Sequence, residues 1–281
     1  MTQKTNKRRK RINVNCYFDT SIYNQILDDT DKHLIVQKIR RKRLTTIPSL
    51  VNLCEILKTN DTERKRNLLN IYDEIRDDYH ALKPFTILLR DAIVALQNGN
   101  MYIEVNMPVV IDENTEQLCR DALKDTGKEF DEYALKARKW LFEDKRNTAL
   151  PDVKTFFDIS YKKRMIPFWR EFFKGVCNGL GIKELNLNDD LIRQMVTDPK
   201  SVWKYYLDTF LLIFHRRAMR IEGYGSESNP GGVDLIQGLY LSWADLFVIR
   251  DNNFYFFMKE LKDIQGYRKE IFNYDEFKAY V

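Results

Sequence analysis

Ile12-Asn13-Val14-Asn15-Cys16-Tyr17-Phe18-Asp19-Thr20-Ser21 is the stretch on which the fold turns. Its apolar and β-compatible residues run unbroken to an acid, and two hydroxyl residues follow at once. That pattern predicts a short buried strand ending at Asp19, with Thr20 or Ser21 capping a helix to about Leu27. Near the other end of the chain the pattern returns. Leu246-Phe247-Val248-Ile249 is a second buried strand, stopped by Arg250-Asp251, with a helix from about Phe254 to Ile264 behind it. Two strands buried on both faces, each leading into a helix, belong to an α/β fold with a parallel sheet.

Between these ends the periodicity is helical. Pro48 is well placed to open a helix whose face is Leu50, Val51, Leu53, Cys54, Ile56 and Leu57. Leu68, Leu69, Tyr72 and Ile75 form one stripe, and Phe85 to Leu96 suggest a more buried helix. Further helices are predicted at about 115–145, 153–178, 188–197 and 200–221. Tyr102–Val105 is the one β-prone candidate there, and Pro108 argues against a central strand. Trp140, Trp169, Trp203 and their aromatic neighbours alternate with Lys and Arg. This is read first as a helical core edged by long cations, with a base-stacking surface as the alternative. Gly223–Gly232 holds four of the 11 glycines and must be a loop, after which Asp234 opens another helix. Tyr267–Val281 reads as one last short helix.

Composition narrows the function classes. The 281 residues are 44% hydrophobic, enough for a real core and too apolar for disorder. Cys16, Cys54, Cys119 and Cys177 form no CxxC pair, and His33, His80 and His215 are equally scattered. A zinc site or a catalytic triad would need long-range assembly. No apolar run reaches the ~18 residues of a membrane span, and the basic start lacks the apolar core of a secretory signal. The expected setting is cytoplasmic, with reduced thiols. Residues 1–11 are expected to be a basic flexible tail, and 12–281 a single domain. A second basic cluster, Lys38, Arg40, Arg41, Lys42 and Arg43, is the candidate phosphate-binding surface.

The acids carry the chemistry. In parallel sheets ligands bind beyond the carboxyl ends of strands, where Asp19 and Asp251 stand. Glu55, amid apolar neighbours, and Asp234, at a helix start, can join them. Singly, each has an ordinary role as cap, turn or solvated residue. Together, four carboxylates repel unless a cation neutralises them, and hard oxygen ligands suit Mg²⁺ or Mn²⁺. Such a site implies metal-assisted hydrolysis of a nucleic-acid backbone. Asp245 precedes its strand and is expected at the opposite, solvent end.

These segments resemble the PIN-domain nucleases. Tyr17-Phe18-Asp19-Thr20-Ser21-Ile22-Tyr23 is similar to that family's opening strand and first acid. Ile47-Pro48-Ser49-Leu50-Val51-Asn52-Leu53-Cys54-Glu55 resembles its second segment, Asp234–Leu241 its third and Leu246–Phe254 its fourth. The resemblance covers about the first 60 and last 55 residues. It implies a PIN-like α/β domain, a short central parallel sheet flanked by helices, with a large helical insertion at roughly 61–222. It also implies Asp19, Glu55, Asp234 and Asp251 as the catalytic and metal-binding set of a Mg²⁺- or Mn²⁺-dependent endonuclease. Single-stranded RNA is expected before DNA. A toxin or defence role, an inhibitory protein partner and a homodimer are compatible with it, and a membrane is not. Ile249 departs from the family, which usually has Thr or Ser there, and this leaves a catalytically inactive PIN-like scaffold, binding nucleic acid or a protein partner, as the alternative. An all-helical interaction protein is the third reading.

Overall fold

The computed structural model describes residues 14–42, 44–77, 80–108, 152–161, 165–179, 188–218 and 232–281. The basic tail, Arg43, Cys119, the helix expected at 115–145, and all of the glycine loop except Gly232 lie outside them. So do the side chains of residues 232–234.

Four strands make one parallel sheet: β1 (Val14–Phe18), β2 (Leu44–Thr46), β5 (Leu246–Val248) and β6 (Glu270–Phe272), in the order β2-β1-β5-β6. The all-helical reading is thereby removed. The first and last quarters of the chain pair directly, with Tyr17 opposite Phe247 and Phe18 opposite Val248. Alternation along each strand sorts the side chains into two cores. Cys16, Phe18, Leu44, Leu246 and Val248 point into one, Tyr17, Phe247, Ile249 and Ile271 into the other. Both faces are therefore covered, which is why the strands read as continuous apolar runs.

Helices α1 (Thr20–Asp28), α2 (Lys32–Arg41), α3 (Leu50–Leu57), α4 (Thr62–Ile75) and the last helix, Tyr274–Tyr280, cover the first face. Helix α4 falls within the segment read as an insertion, yet it packs on α1, α2 and α3. Against the second face lie α5 (Phe85–Gln97) and the four helices Val153–Ile159, Met165–Gly179, Asp189–Thr197 and Val202–Ala218. They are joined by Gly232–Gly238, a 3₁₀ turn at Leu239–Ser242, and Asn252–Gln265. Trp169, Trp203, Phe173 and Phe210 are buried here, so these aromatics form a core and no stacking surface.

Several local expectations are corrected. The strand expected near Tyr102–Val105 is instead β4 (Asn106–Pro108), antiparallel to β3 (His80–Leu82) in a separate two-stranded sheet. Tyr267–Val281 contains strand β6 before its helix. Pro48 stands just outside α3, which Ser49 and Asn52 open with a reciprocal capping box. The N-cap position of α1 is Asp19 itself, with no side-chain capping bond, which leaves its carboxylate for other partners.

One close approach fixes the helix that carries Asp234. A Cβ at Gly238 would run into the Thr209 hydroxyl and lie 3.0 Å from its Cβ. Thr209 is fully buried and its Oγ1 donates to the Tyr205 carbonyl at 2.8 Å, so it cannot turn aside. Gly238→Ala is expected to cost about 1–3 kcal/mol by overpacking, measured by urea unfolding. An unchanged midpoint would show that this contact is not tight.

Candidate active site

Asp19 sits directly beyond the carboxyl end of β1, its N–H donating to the Val248 carbonyl at 2.9 Å. Its carboxylate is buried and held on both oxygens. Gln237 Nε2 donates to Oδ1 at 3.1 Å, and the Ser21 hydroxyl donates to Oδ2. Burial pushes the Asp19 carboxyl above its ordinary value. The bonds from Ser21, Gln237 and the Thr20 N–H pull it back, and the charge of Asp251 pushes it up again. Asp251 caps the helix Asn252–Gln265, accepting from the Phe254 N–H at 2.8 Å. Its capping role and its place beside Asp19 are thus both present.

Glu55 is half-buried on α3. Burial raises its carboxyl too, a bond from the Thr20 hydroxyl opposes this, and the Asp19 charge adds to it. Behind it lies a buried polar chain. Asn52 Nδ2 donates to Thr20 Oγ1 at 2.9 Å and to the Phe18 carbonyl at 3.2 Å. Accepting from Asn52 holds the Thr20 hydroxyl in place next to Glu55. Ser49 Oγ donates to Asn52 Oδ1 at 2.9 Å and lies 3.1 Å from the Tyr17 hydroxyl, so the amide is fixed in turn.

The structure therefore brings Glu55 and Asp251 each within electrostatic reach of Asp19. Asp234 occupies the third position of Gly232–Gly238, one turn before Gln237, and its side chain is outside the described residues. Helical spacing puts positions 234 and 237 on one face, and Gln237 touches Asp19. Among the described residues no three His, Cys, Asp or Glu gather as a ready metal-ligand group. The donor chemistry nonetheless suits a hard cation: neighbouring carboxylates raised by burial and by each other, and a buried Gln237 Oε1 with no hydrogen-bond partner among the described residues.

Asp245 lies at the amino end of β5, as expected. Its N–H donates to the Asn15 carbonyl at 2.8 Å and its carboxylate accepts from the Asn15 N–H at 3.1 Å. The basic cluster closes α2 and leads into the amino end of β2, opposite the end where Asp19 stands. There Arg40 donates to the Glu74 carbonyl, and Lys42 donates to the Tyr280 carbonyl and lies 4.4 Å over its ring. Arg43 is outside the described residues. Cys16, Cys54 and Cys177 are buried, and no described helix is long and apolar enough to cross a membrane.

Comparisons of the chain with protein-family models, with curated proteins and with solved structures return no match. The parallel four-strand sheet flanked by helices is compatible with a PIN-like arrangement, and none of the comparisons identifies that family.

The buried acids set a pH dependence. Asp19 and Glu55 hold protons more tightly folded than unfolded, so their contribution to stability is fully present below the ordinary values of 3.8 and 4.5. It is lost as pH rises through the raised values. Compared with an Asp19→Asn/Glu55→Gln variant, the metal-free wild type should lose melting temperature across that rise, and Mn²⁺ should restore it. A difference between the two proteins that is flat in pH would contradict this.

Proposed function

We propose that this chain is a Mg²⁺- or Mn²⁺-dependent endonuclease cleaving single-stranded nucleic acid, RNA before DNA. One observation carries the reading. Asp19, at the carboxyl end of a central parallel strand, is electrostatically coupled to both Glu55 and Asp251 and is held by the helix that bears Asp234. A divalent cation, when bound, offsets these carboxylates and stabilises the anionic phosphodiester transition state. Gln237 and Ser21 fix the Asp19 carboxylate in one orientation, and Asn52 holds Thr20 next to Glu55. Geometry held this way costs little reorganisation during reaction. The basic cluster on α2 would hold a distant part of a longer substrate, since it lies a strand's length from the acids. Cleavage of labelled single-stranded RNA and DNA, with Mn²⁺, Mg²⁺ or EDTA, tests the proposal.

A second reading, an inactive PIN-like scaffold, draws on Ile249. It is fully buried with its N–H bound to the Phe272 carbonyl, so it offers the site no hydroxyl. Melting curves separate the two readings. Mn²⁺ stabilisation that disappears in Asp19→Asn belongs to the nuclease, and its absence in the wild type belongs to the scaffold.

A further inference from the structure

Phe256 is 65% exposed, the most exposed large apolar side chain among the described residues. A lone exposed apolar residue is ordinary on any surface, so exposure alone says nothing. Its neighbours single it out. It lies in the second turn of the helix that Asp251 caps, about 6 Å along the axis from Asn252. Asn252, Asn253 and Phe256 are all exposed, at the spacing that places them on one helical face. Arg250, also exposed, precedes the cap at the carboxyl end of β5, and its charge is felt at Asp28 on the end of α1.

The ring is also propped from behind. Tyr255 meets Phe256 nearly edge-on, at 5.2 Å between centroids and 65° between planes. Tyr255 is buried, donates to Glu276 at 2.9 Å, and has Lys259 at 4.9 Å from its ring. The first two turns, Asn252 to Met258, contain no acid. The start of this helix, next to Asp251, thus carries a cation, two amides and a supported aromatic face. That set complements an anionic chain with flat apolar bases.

We propose that Phe256, Arg250, Asn252 and Asn253 form a platform for an unpaired stretch of nucleic acid. One base stacks on Phe256, the amides reach base edges, and Arg250 takes the neighbouring phosphate. The platform rests on the nuclease reading for its place in a reaction, and it selects single strands because a base within a duplex has no free face.

Anisotropy with oligouridine RNA and oligothymidine DNA of about 12 nucleotides, and with a duplex, tests the platform in EDTA on the full chain. Phe256→Ala should weaken single-strand binding about tenfold, and Phe256→Trp should restore it with quenching of the new indole. Arg250→Ala should lower the salt dependence by about one phosphate contact. Whichever of RNA and DNA shows the larger Phe256→Ala loss is the substrate class. The platform is overturned if Phe256→Ala binds single strands as tightly as wild type, if duplex binding falls equally, or if wild type binds neither single strand. It is equally overturned if Phe256→Ala changes only self-association. Should the platform hold while wild type fails to cleave with Mn²⁺, the nuclease reading alone fails.

Discussion

Asp19→Asn is expected to leave the fold intact and to reduce metal-dependent cleavage by about a hundredfold or more. Groups that only orient metal ligands cost 10–100-fold when removed, and a ligand at the centre of the set should cost at least as much. The fold survives because Asn keeps the shape and the bonds. Its carbonyl can accept from Gln237 Nε2, and its amide can donate to Ser21, whose hydroxyl reverses. The variant also removes a buried carboxyl that burial makes costly to ionise, so without metal its melting temperature should equal or exceed that of wild type. Unfolding of the variant, or cleavage at the wild-type rate, would each remove Asp19 from the metal-binding set.

The second large effect is structural. Asp208, on the helix Val202–Ala218, is fully buried and accepts from the Tyr161 and Tyr267 hydroxyls and from Lys204 Nζ at 2.6 Å. Lys204 keeps only 13% of its side chain exposed and lies 5.2 Å from the centre of the Tyr267 ring. This cluster ties two helices of the second layer to the loop before β6. Asp208→Ala leaves a buried ammonium and two hydroxyls without their acceptor and is expected to cost about 3–5 kcal/mol. Denaturant unfolding measures it, and a loss below about 1 kcal/mol would mean that water replaces the carboxylate.

The parts of the fold legible in the sequence were those with a strong local signature. Phe18-Asp19-Thr20 and Ile249-Arg250-Asp251 each showed an apolar strand stopped by an acid, and both strands lie side by side. Strand β6 was not legible, because Glu270-Ile271-Phe272 is three residues long and takes its identity from pairing with β5. Helix α2 was hidden by its own basic last turn, which drew attention as a charge cluster. Its distance from the acids is a property of topology, set by which end of β2 it enters.

Thr20, Asn52 and Gln237 were missed as site residues although they carried a signal. Asn52 lies between Val51 and Leu53, and Gln237 between Ile236 and Gly238, polar residues inside buried runs. Each is three positions from an acid of the set, Glu55 or Asp234. A buried polar side chain needs a partner, and one helical turn from a candidate carboxylate is where to look. Partner identity itself was illegible, since Asp19 and Gln237 meet only through the folded sheet.

The central claim, that these acids form a live hydrolytic site, is met most directly by incubating labelled single-stranded RNA and DNA with wild type and Asp19→Asn. Parallel reactions contain Mn²⁺, Mg²⁺ or EDTA. The predicted result is cutting by wild type with metal that is absent in EDTA and absent in the folded variant. Wild type that is folded and leaves every strand uncut with either metal, or cuts equally in EDTA, would contradict it.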